Sequence, residues 1–163
     1  MRSPAQELTY RVVNSDDDIP AITKIAREAH DESRYRDIPF SEDKARKLVQ
    51  GAFEDGAPQI VLLALKGGDP VGLAACTVGE FHIGTDVRIA SINTIAVSRR
   101  VRNTLGGGRI ALALIQGLHR WAKVQNAREV SLHVTSGVDL PRAHKLAIRL
   151  GYELTGGNYV ANL

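Results

Sequence analysis

The sequence has little of what secreted and membrane proteins depend on. Cys76 is the only cysteine among 163 residues, so no internal disulfide of the kind that staples small secreted domains is possible. Even the longest apolar runs, such as Ile110 to Ile115, are far shorter than the ~20 residues that cross a bilayer. The beginning of the chain, "MRSPAQELTY", has no apolar run of the signal-peptide kind. We therefore expect a soluble, cytoplasmic protein with no membrane partner.

Aromatic residues and net charge are also low for a nucleic-acid-binding protein. Phe, Trp and Tyr make up 5% of the chain, and the formal net charge is +3. Proteins that bind single-stranded nucleic acid combine basic grooves with aromatic side chains on which bases stack. Because no aromatic residues alternate with the arginines of this chain, a nucleic-acid partner is not expected.

The rest of the composition is that of one globular domain. Apolar residues make up 44% of the chain and charged residues 24%, which are ordinary fractions. We find no internal repeat, no low-complexity tract and no linker that would divide the chain. A length of 163 residues is enough to bury one core. We predict a single domain over residues 1–163.

Hydrophobic periodicity predicts strands that alternate with helices. A short strand over Leu8–Val13 precedes a helix in which Ile19, Ile22 and Ile25 share one face. A second short helix follows Ser41, which suits an N-cap. The further predicted elements are two strands within 59–79, a strand over 87–98, a helix from 111 to about 125, a strand over 128–136, a helix over 139–151, and one or two strands from Tyr152 onward. This order indicates an α/β or α+β domain with one central, mixed sheet.

One segment, "SRRVRNTLGGGRIALALI", combines positive charge with three consecutive glycines. It holds Gly106–Gly108 between a predicted strand and the predicted central helix. The first N–H groups of a helix have no partner inside it, and glycine lets phosphates approach them closely. Four arginines could add charge-assisted contacts to a phosphate: Arg99, Arg100, Arg102 and Arg109. The segment therefore predicts a phosphate-binding site.

Two common phosphate-binding motifs do not fit this segment. A Walker loop needs a Lys-Ser or Lys-Thr pair after its last glycine, and none follows here. A dinucleotide-binding fingerprint needs a third glycine, but Gly106-x-Gly108 is followed by Ile110 and Ala111. ATP, GTP and nicotinamide dinucleotides are therefore disfavoured as ligands.

A third pattern fits. Residues 103–108, "NTLGGG", resemble motif A of the GNAT superfamily of acetyl-CoA-dependent N-acyltransferases, (Q/R)-x-x-G-x-(G/A), with the departure that Asn103 stands where Gln or Arg is usual. The preceding "INTIAVS" looks like the bulged strand of that family, and "RLGY" at 149–152 is similar to its terminal "kLGF" signature. The order of elements also agrees, so the resemblance covers nearly the whole chain. There is a fainter similarity to GNAT-like proteins of phage and prophage genomes.

The resemblance implies a fold and a donor. The fold is a central mixed, mostly antiparallel sheet of six to seven strands flanked by about four helices. The donor is acetyl-CoA, whose thioester carbonyl is attacked directly by an amine in a ternary complex. By position, backbone groups of Ile95, Ala96 and Val97 would hold the pantetheine arm and the developing oxyanion. The pyrophosphate contacts would fall on Arg102, Asn103, Thr104, Leu105, Gly106, Gly107, Gly108 and Arg109.

The chain departs from the family pattern at the expected general acid. Members often carry a tyrosine four residues before the glycine of "kLGF", where this chain has Ala147. The asparagine often found near the start of that helix is replaced by Leu140. General acid catalysis is typically worth roughly 10²–10⁴-fold, but a thiol with a pKa of ~8.5 is already a fair leaving group. We expect a slower reaction, not an abolished one.

The sequence does not identify the residue that replaces the tyrosine as general acid, nor the general base. His144 precedes Ala147 by one helical turn on the same face, which makes it the candidate acid. No carboxylate stands in the bulged strand, where family enzymes often place a glutamate. Further candidates for proton transfer are Tyr152, Tyr159, Glu80, His82, Asp86 and His133.

The acceptor side is predicted from the segment "AHDESRYRDIPF", residues 29–40. It joins the first two helices, which border the acceptor cleft in the family that the chain resembles. Its acidic residues would attract a cationic amine, carried by a small molecule or a protein. The candidate substrate-binding residues are His30, Glu32, Tyr35 and Phe40, with Asp31 beside them.

Three functions follow in order of preference. The first is an N-acyltransferase that moves an acetyl group from acetyl-CoA to a primary amine. The second is a CoA-binding module of the same fold with little catalysis, favoured by the missing tyrosine and strand glutamate. The third, nucleic-acid binding through the arginines, is disfavoured. No metal site is predicted, and a C-terminal edge strand could pair with a second copy to form a homodimer.

Overall fold

Five strands pair in chain order to form one sheet in a computed structural model that describes residues 7–163. The strands β1 to β4 pair antiparallel, and β5 joins β4 in parallel. A parallel neighbour needs a crossover connection, which a short helix and a long one provide here. The strands are β1 Leu8–Val12, β2 Gln59–Lys66, β3 Asp69–Glu80, β4 Arg88–Val97 and β5 Ala127–Leu132.

Five helices accompany the sheet, and the side chains that begin two of them match the sequence signals. Ser41 accepts a hydrogen bond from the Lys44 N–H group at 3.3 Å at the start of the second helix, as predicted. Asp139 accepts one from the Arg142 N–H group at 3.3 Å at the start of the last. The helices are α1 Ile19–Glu32, α2 Glu42–Gln50, α3 Arg99–Arg102, α4 Leu105–Val124 and α5 Leu140–Arg149.

The helices cover both faces of the sheet, which produces two apolar clusters. Alternate residues of β2 point to opposite faces: Leu63 packs under α1 and α2, whereas Leu62 packs under α4. The α1 face includes Ile19, Ile22 and Ile25, the three isoleucines predicted to share one helical face. On the other face α4 contributes Ile110, Leu114, Ile115, Leu118 and Ala122, while Leu146 of α5 and Leu150, just after α5, pack at its edge.

The predicted number of strands was too high. The sheet of the described residues has five strands where six to seven were expected, because Glu153–Leu163 form no strand. A strand needs a neighbour for its backbone groups, and the Gly156–Gly157 pair weakens the strand preference of this tail. The edge of the sheet on this side is therefore β5, so a C-terminal edge strand for homodimer pairing is not present in this structure.

Cys76 and Tyr152 lie within the α4 face of the core. Cys76 is fully buried, and its burial raises the pKa of the thiol to about 11, so it stays protonated at neutral pH. Burial likewise raises the pKa of the Tyr152 hydroxyl to about 12. That hydroxyl lies 2.5 Å from Nε2 of His119 on α4, and donates to it when the histidine is neutral. The contact joins the end of α5 to α4.

The His119–Tyr152 contact predicts a pH dependence of stability. Burial, and then the charge of Lys123, lower the pKa of His119 below its ordinary value of about 6.5. A histidine whose pKa is depressed by folding stabilises the fold above its unfolded pKa and loses that contribution as the pH falls. The free energy of unfolding should therefore decrease from pH 7.5 to pH 5.5.

Urea denaturation at both pH values checks this expectation. The variant His119→Gln keeps an acceptor for the Tyr152 hydroxyl but does not titrate. It should lose less stability than the wild-type protein between the two pH values. Equal losses in both proteins would show that carboxylates alone account for the pH dependence.

Candidate active site

The site begins where β4 parts from β5. The two strands pair from Arg88 only as far as Ile92, which faces Leu132, and β4 then continues alone on this side to Val97. On its other side β4 stays paired with β3 throughout. The backbone edge of residues 93–97 that faces away from β3 is therefore free of strand pairing and opens into a cleft.

A β-bulge lies at the point of parting. Ala75 of β3 faces Thr94 and Cys76 faces Ile92, so Asn93 is the extra residue in β4. The predicted bulged strand is thus confirmed in its geometry. A bulge increases local twist and redirects side chains, which helps β4 to diverge from β5.

A cavity of about 970 Å³ occupies the cleft. It is bounded by the C-terminal part of α1, the free part of β4, the start of α4, the connection after β5, and α5. Ile95, Ala96 and Val97, the predicted pantetheine-binding strand, line it together with Asn93 and Thr94. From the predicted pyrophosphate loop, the lining residues are Arg102, Asn103, Gly107 and Gly108.

Two connections meet across the cleft. The Arg34 N–H group, just after α1, donates a hydrogen bond of 2.8 Å to the Ser136 carbonyl, between β5 and α5. Gly137 has a positive φ of 75° and lies so close that a Cβ atom there would be 3.5 Å from the Arg34 side chain. The segment after α1 and the segment between β5 and α5 therefore close the cleft on the side of α1.

The three glycines differ in what surrounds them. A Cβ atom on Gly107 would lie 2.3 Å from the Arg102 carbonyl oxygen, so only glycine allows α3 and α4 to approach this closely. A Cβ atom on Gly108 would meet nothing within 4 Å, and one on Gly106 only the Thr104 hydroxyl at 3.5 Å. Gly107 is thus a packing glycine. Gly108 lines the cavity with open space around it, whereas Gly106 lies outside the cavity lining.

The start of α4 is well defined. Thr104 is its N-cap: its hydroxyl accepts from the Gly106 N–H group at 3.3 Å and donates to the Val101 carbonyl at 2.6 Å. Leu105 begins the helix. Arg109 is exposed and does not line the cavity. A helix of 20 residues that begins at this cavity places the positive end of its dipole there, which favours an anionic ligand.

The arginines before the glycines are engaged by acidic residues and carbonyls. Arg102 makes two parallel bonds to the Glu32 carboxylate, at 2.5 and 2.7 Å, and Arg99 pairs with the same carboxylate. Arg100 donates to the Pro70 carbonyl at 2.9 Å. The hydrogen bond from Arg102 lowers the pKa of Glu32, which in turn raises the pKa of Arg102. Arg102, predicted to bind phosphate, and Glu32, predicted to bind the acceptor, are therefore bonded to each other.

His30 and Tyr35 line the cavity beside Glu32, whereas Phe40 does not. Phe40 packs instead against the ring of His30, with centroids 5.5 Å apart. The His30 Nε2 atom lies 2.6 Å from the Ile38 carbonyl oxygen. Because a carbonyl only accepts, the proton sits on Nε2, and a neutral His30 keeps its lone pair on Nδ1.

The predicted proton-transfer residues are not brought together. His144 is exposed on α5 and outside the cavity lining, although its neighbours Ala143 and Lys145 belong to that lining. Tyr152 is engaged by His119, and Tyr159 is 98% exposed in the tail. Of the remaining candidates His133 lines the cavity, whereas the exposed residues Glu80, His82 and Asp86 do not.

A row of basic residues on α5, not predicted from the sequence, also belongs to the site. Arg142, Lys145 and Arg149 all line the cavity, and the Arg142 guanidinium donates to the Arg102 carbonyl at 3.1 Å. Their spacing of i, i+3 and i+7 places them on one helical face. That spacing is the sequence signal that could have identified them.

Within residues 7–163, no helix has the length and apolar content of a membrane span, and no three His, Cys, Asp or Glu side chains are grouped to hold a metal ion.

Comparison with known proteins links this geometry to one family. Residues 19–152 match the model of the acetyltransferase (GNAT) family. A search of curated protein sequences finds no match.

Solved structures share the fold. The aminoglycoside N-acetyltransferase AAC(6')-Iy in complex with CoA superimposes with a TM-score of 0.75 and 14% identity, over 100% of this chain and 99% of that one. A predicted acetyltransferase with acetyl-CoA from Clostridium acetobutylicum gives a TM-score of 0.69 and 18% identity, over 96% of both chains. A putative acetyltransferase from Pyrococcus furiosus gives 0.64 and 24%, over 95% of this chain and 100% of that one.

The surroundings of the glycines predict opposite effects of two alanine substitutions. Gly107→Ala should lower the free energy of unfolding by about 1–3 kcal/mol, because its Cβ would force α4 away from the Arg102 carbonyl. Gly108→Ala, its matched control in the same turn, should raise it by up to ~1 kcal/mol, since alanine favours the helix and meets open space. Urea denaturation measures both changes. Equal effects of the two substitutions would contradict the assigned packing role of Gly107.

Proposed function

Because the chain belongs to the acetyltransferase (GNAT) family, we propose that it transfers an acetyl group from acetyl-CoA to a primary amine. The observation that carries this proposal is the cleft between β4 and β5, which ends at the glycine-rich start of α4. It combines a free strand edge with an anion-binding helix terminus. Two structures with the same fold hold CoA or acetyl-CoA.

The donor would follow the cleft from the helix to the bulge. Its pyrophosphate would lie in front of Gly108, which lines the cavity and has open space around it. The pantetheine arm would form hydrogen bonds with the free backbone edge of Ile95–Val97, as an added strand does. The thioester would then lie near the bulge at Asn93, where backbone N–H groups of β4 stabilise the negative charge that develops on the carbonyl oxygen.

The chemistry is a direct transfer. The amine nitrogen attacks the thioester carbonyl, a C–N bond forms, the C–S bond breaks, and CoA leaves as a thiolate. Ala147 offers no proton to that thiolate, and α5 presents no tyrosine to the cavity. Because the pKa of a thiol is ~8.5, the thiolate is a fair leaving group, and it takes its proton from water.

His30 is the residue that we assign to accept the amine proton. It lines the cavity at the end of α1, and the Ile38 carbonyl holds its Nε2–H group. The lone pair is thereby left on Nδ1, in the same way that a carboxylate orients the histidine of a catalytic triad. The ring packs against Phe40, which limits its rotation. His30 thus takes a proton-transfer role in addition to its predicted place in the acceptor site.

The acceptor is an amine carried by a small molecule or a protein. Of the four residues predicted to bind it, His30 and Tyr35 line the cavity with Glu32, whose carboxylate is occupied by two arginines. Glu32 is therefore less available to attract a cationic amine than the sequence suggested. His30, Tyr35 and the neighbouring backbone would select the acceptor.

Isothermal titration with acetyl-CoA tests the donor site, with ATP as the control ligand. Micromolar binding of acetyl-CoA and none of ATP is expected. Gly108→Leu should weaken acetyl-CoA binding at least tenfold, because its side chain would fill the space in front of α4. Gly156→Leu, an equally open glycine in the tail, is the matched control and should bind normally. Normal binding by Gly108→Leu would refute the placement of the pyrophosphate.

Release of free thiol from acetyl-CoA, measured over a panel of amines, tests the transfer itself. Thiol release that requires an amine supports the proposed reaction. Binding without turnover across the panel would favour the second function, a CoA-binding module, which the alanine at position 147 also suggests.

Two histidine variants separate the proton-transfer candidates. His30→Gln should lower kcat/KM for an accepted amine by roughly 10²-fold at pH 7 and less at high pH, where the amine deprotonates unaided. His144→Ala should leave kcat/KM unchanged, because His144 is exposed and outside the cavity lining. The pH dependence of kcat/KM measures both. A large loss in His144→Ala with none in His30→Gln would reverse the assignment.

A further inference from the structure

Glu32 lies between the two halves of the proposed site. From the structure we infer that Glu32 is a positioning residue for the pyrophosphate loop of the acetyl-CoA site, acting through Arg102, and not an acceptor-binding residue. The inference rests on the proposed function, since it concerns how the same cleft binds its donor.

The contact between Glu32 and Arg102 is specific in geometry. Both carboxylate oxygens are bonded, with Nη1–Oε2 at 2.5 Å and Nη2–Oε1 at 2.7 Å. Such a fork restricts the direction of both side chains, in contrast to a single contact between point charges. Only 20% of the Glu32 side chain and 31% of the Arg102 side chain are exposed, so solvent screens this pair less than a surface pair.

A second carboxylate of α1 strengthens the same attachment. Glu28 lies one turn before Glu32 and accepts bonds from the Ser98 hydroxyl at 3.1 Å and the Arg99 N–H group at 3.2 Å. Arg99 also pairs with Glu32. One face of α1 therefore holds both ends of α3, the short helix that leads from β4 to the glycines.

The position of Arg102 matters because α4 rests on it. The Arg102 carbonyl lies where a Cβ atom on Gly107 would meet it, and it accepts a bond from Arg142 of α5 at 3.1 Å. A shift of Arg102 would therefore move the start of α4 relative to β4 and α5. Those three elements bound the cavity in which the pyrophosphate would lie.

The charge of Glu32 and its positioning role would change CoA affinity in opposite directions. The sign of the change on removing Glu32 therefore tests the inference. A carboxylate beside the phosphate site repels the phosphates and occupies two arginines that could otherwise bind them. If Glu32 acted only through charge, its removal would strengthen CoA binding. If it holds the loop in place, its removal weakens binding, because the loop must then be ordered by the ligand.

Isothermal titration with CoA, which needs no acceptor, decides between these signs. We expect Glu32→Gln to weaken CoA binding about tenfold at a temperature well below its melting point. Glu42→Gln is the matched control, because Glu42 also pairs with an arginine, Arg27, but on the surface away from the cavity. It should bind CoA within about twofold of the wild type.

A double-mutant cycle tests whether Glu32 acts through Arg102. Arg102→Gln should weaken CoA binding by a similar factor, and Glu32→Gln added to it should cause no further loss. Additive losses would mean that Glu32 acts independently of Arg102, which would overturn the inference. A general loss of stability would lower the melting temperature but would not produce this non-additivity in CoA affinity.

Two further outcomes are decisive. Unchanged or tighter CoA binding by Glu32→Gln would overturn the positioning role, while the donor site itself would stand. Absence of CoA binding by the wild-type protein would instead refute the proposed function. If Glu32→Gln does not fold, Arg102→Lys carries the test: lysine keeps the charge but not the fork, so weaker CoA binding supports the role and unchanged binding overturns it.

Discussion

The parting of β4 from β5 is the constraint on which the site depends. A parallel pair that continued beyond Ile92 and Leu132 would satisfy the backbone of both strands and leave no cleft. Pairing stops there, and the bulge at Asn93 turns β4 away. Buried backbone groups need partners, so the free edge of β4 suits a ligand that presents amide groups of its own. Acetyl-CoA has such groups in its pantetheine arm.

The ion pairs between α1 and α3 matter because they fix the position of α3, and less because they add stability. Replacing a partly buried ion pair with apolar groups often leaves stability unchanged, because desolvation offsets most of the attraction. The value of a carboxylate fork lies in fixing two side chains in one orientation. Here the two side chains join α1, which borders the proposed acceptor site, to the segment that leads into α4. The two substrates would therefore bind to parts of one connected structure.

The sequence predicted the elements well where a local signal existed. The isoleucine face of α1, the Ser41 cap of α2 and the glycine-rich start of α4 each depend on residues within a few positions of one another. The terminal strands were predicted wrongly, because a strand exists only if a neighbour pairs with it, and no local pattern in residues 153–163 specifies one. His144 was chosen by helical spacing from Ala147, which does not say which face of α5 meets the cleft.

By itself the sequence determined the family resemblance, the glycine-rich motif and the order of the five strands and the four longer helices, because each is recorded in residue types at short spacing. Only the tertiary structure decided the partners of charged side chains. Glu32 and Arg102 are separated by 70 positions, and neither residue type nor spacing says that they meet. The same charges that suggested an acceptor site and a phosphate site form one ion pair, because folding brings the end of α1 against α3. Attraction between charges depends on their distance in space, which only the folded chain sets.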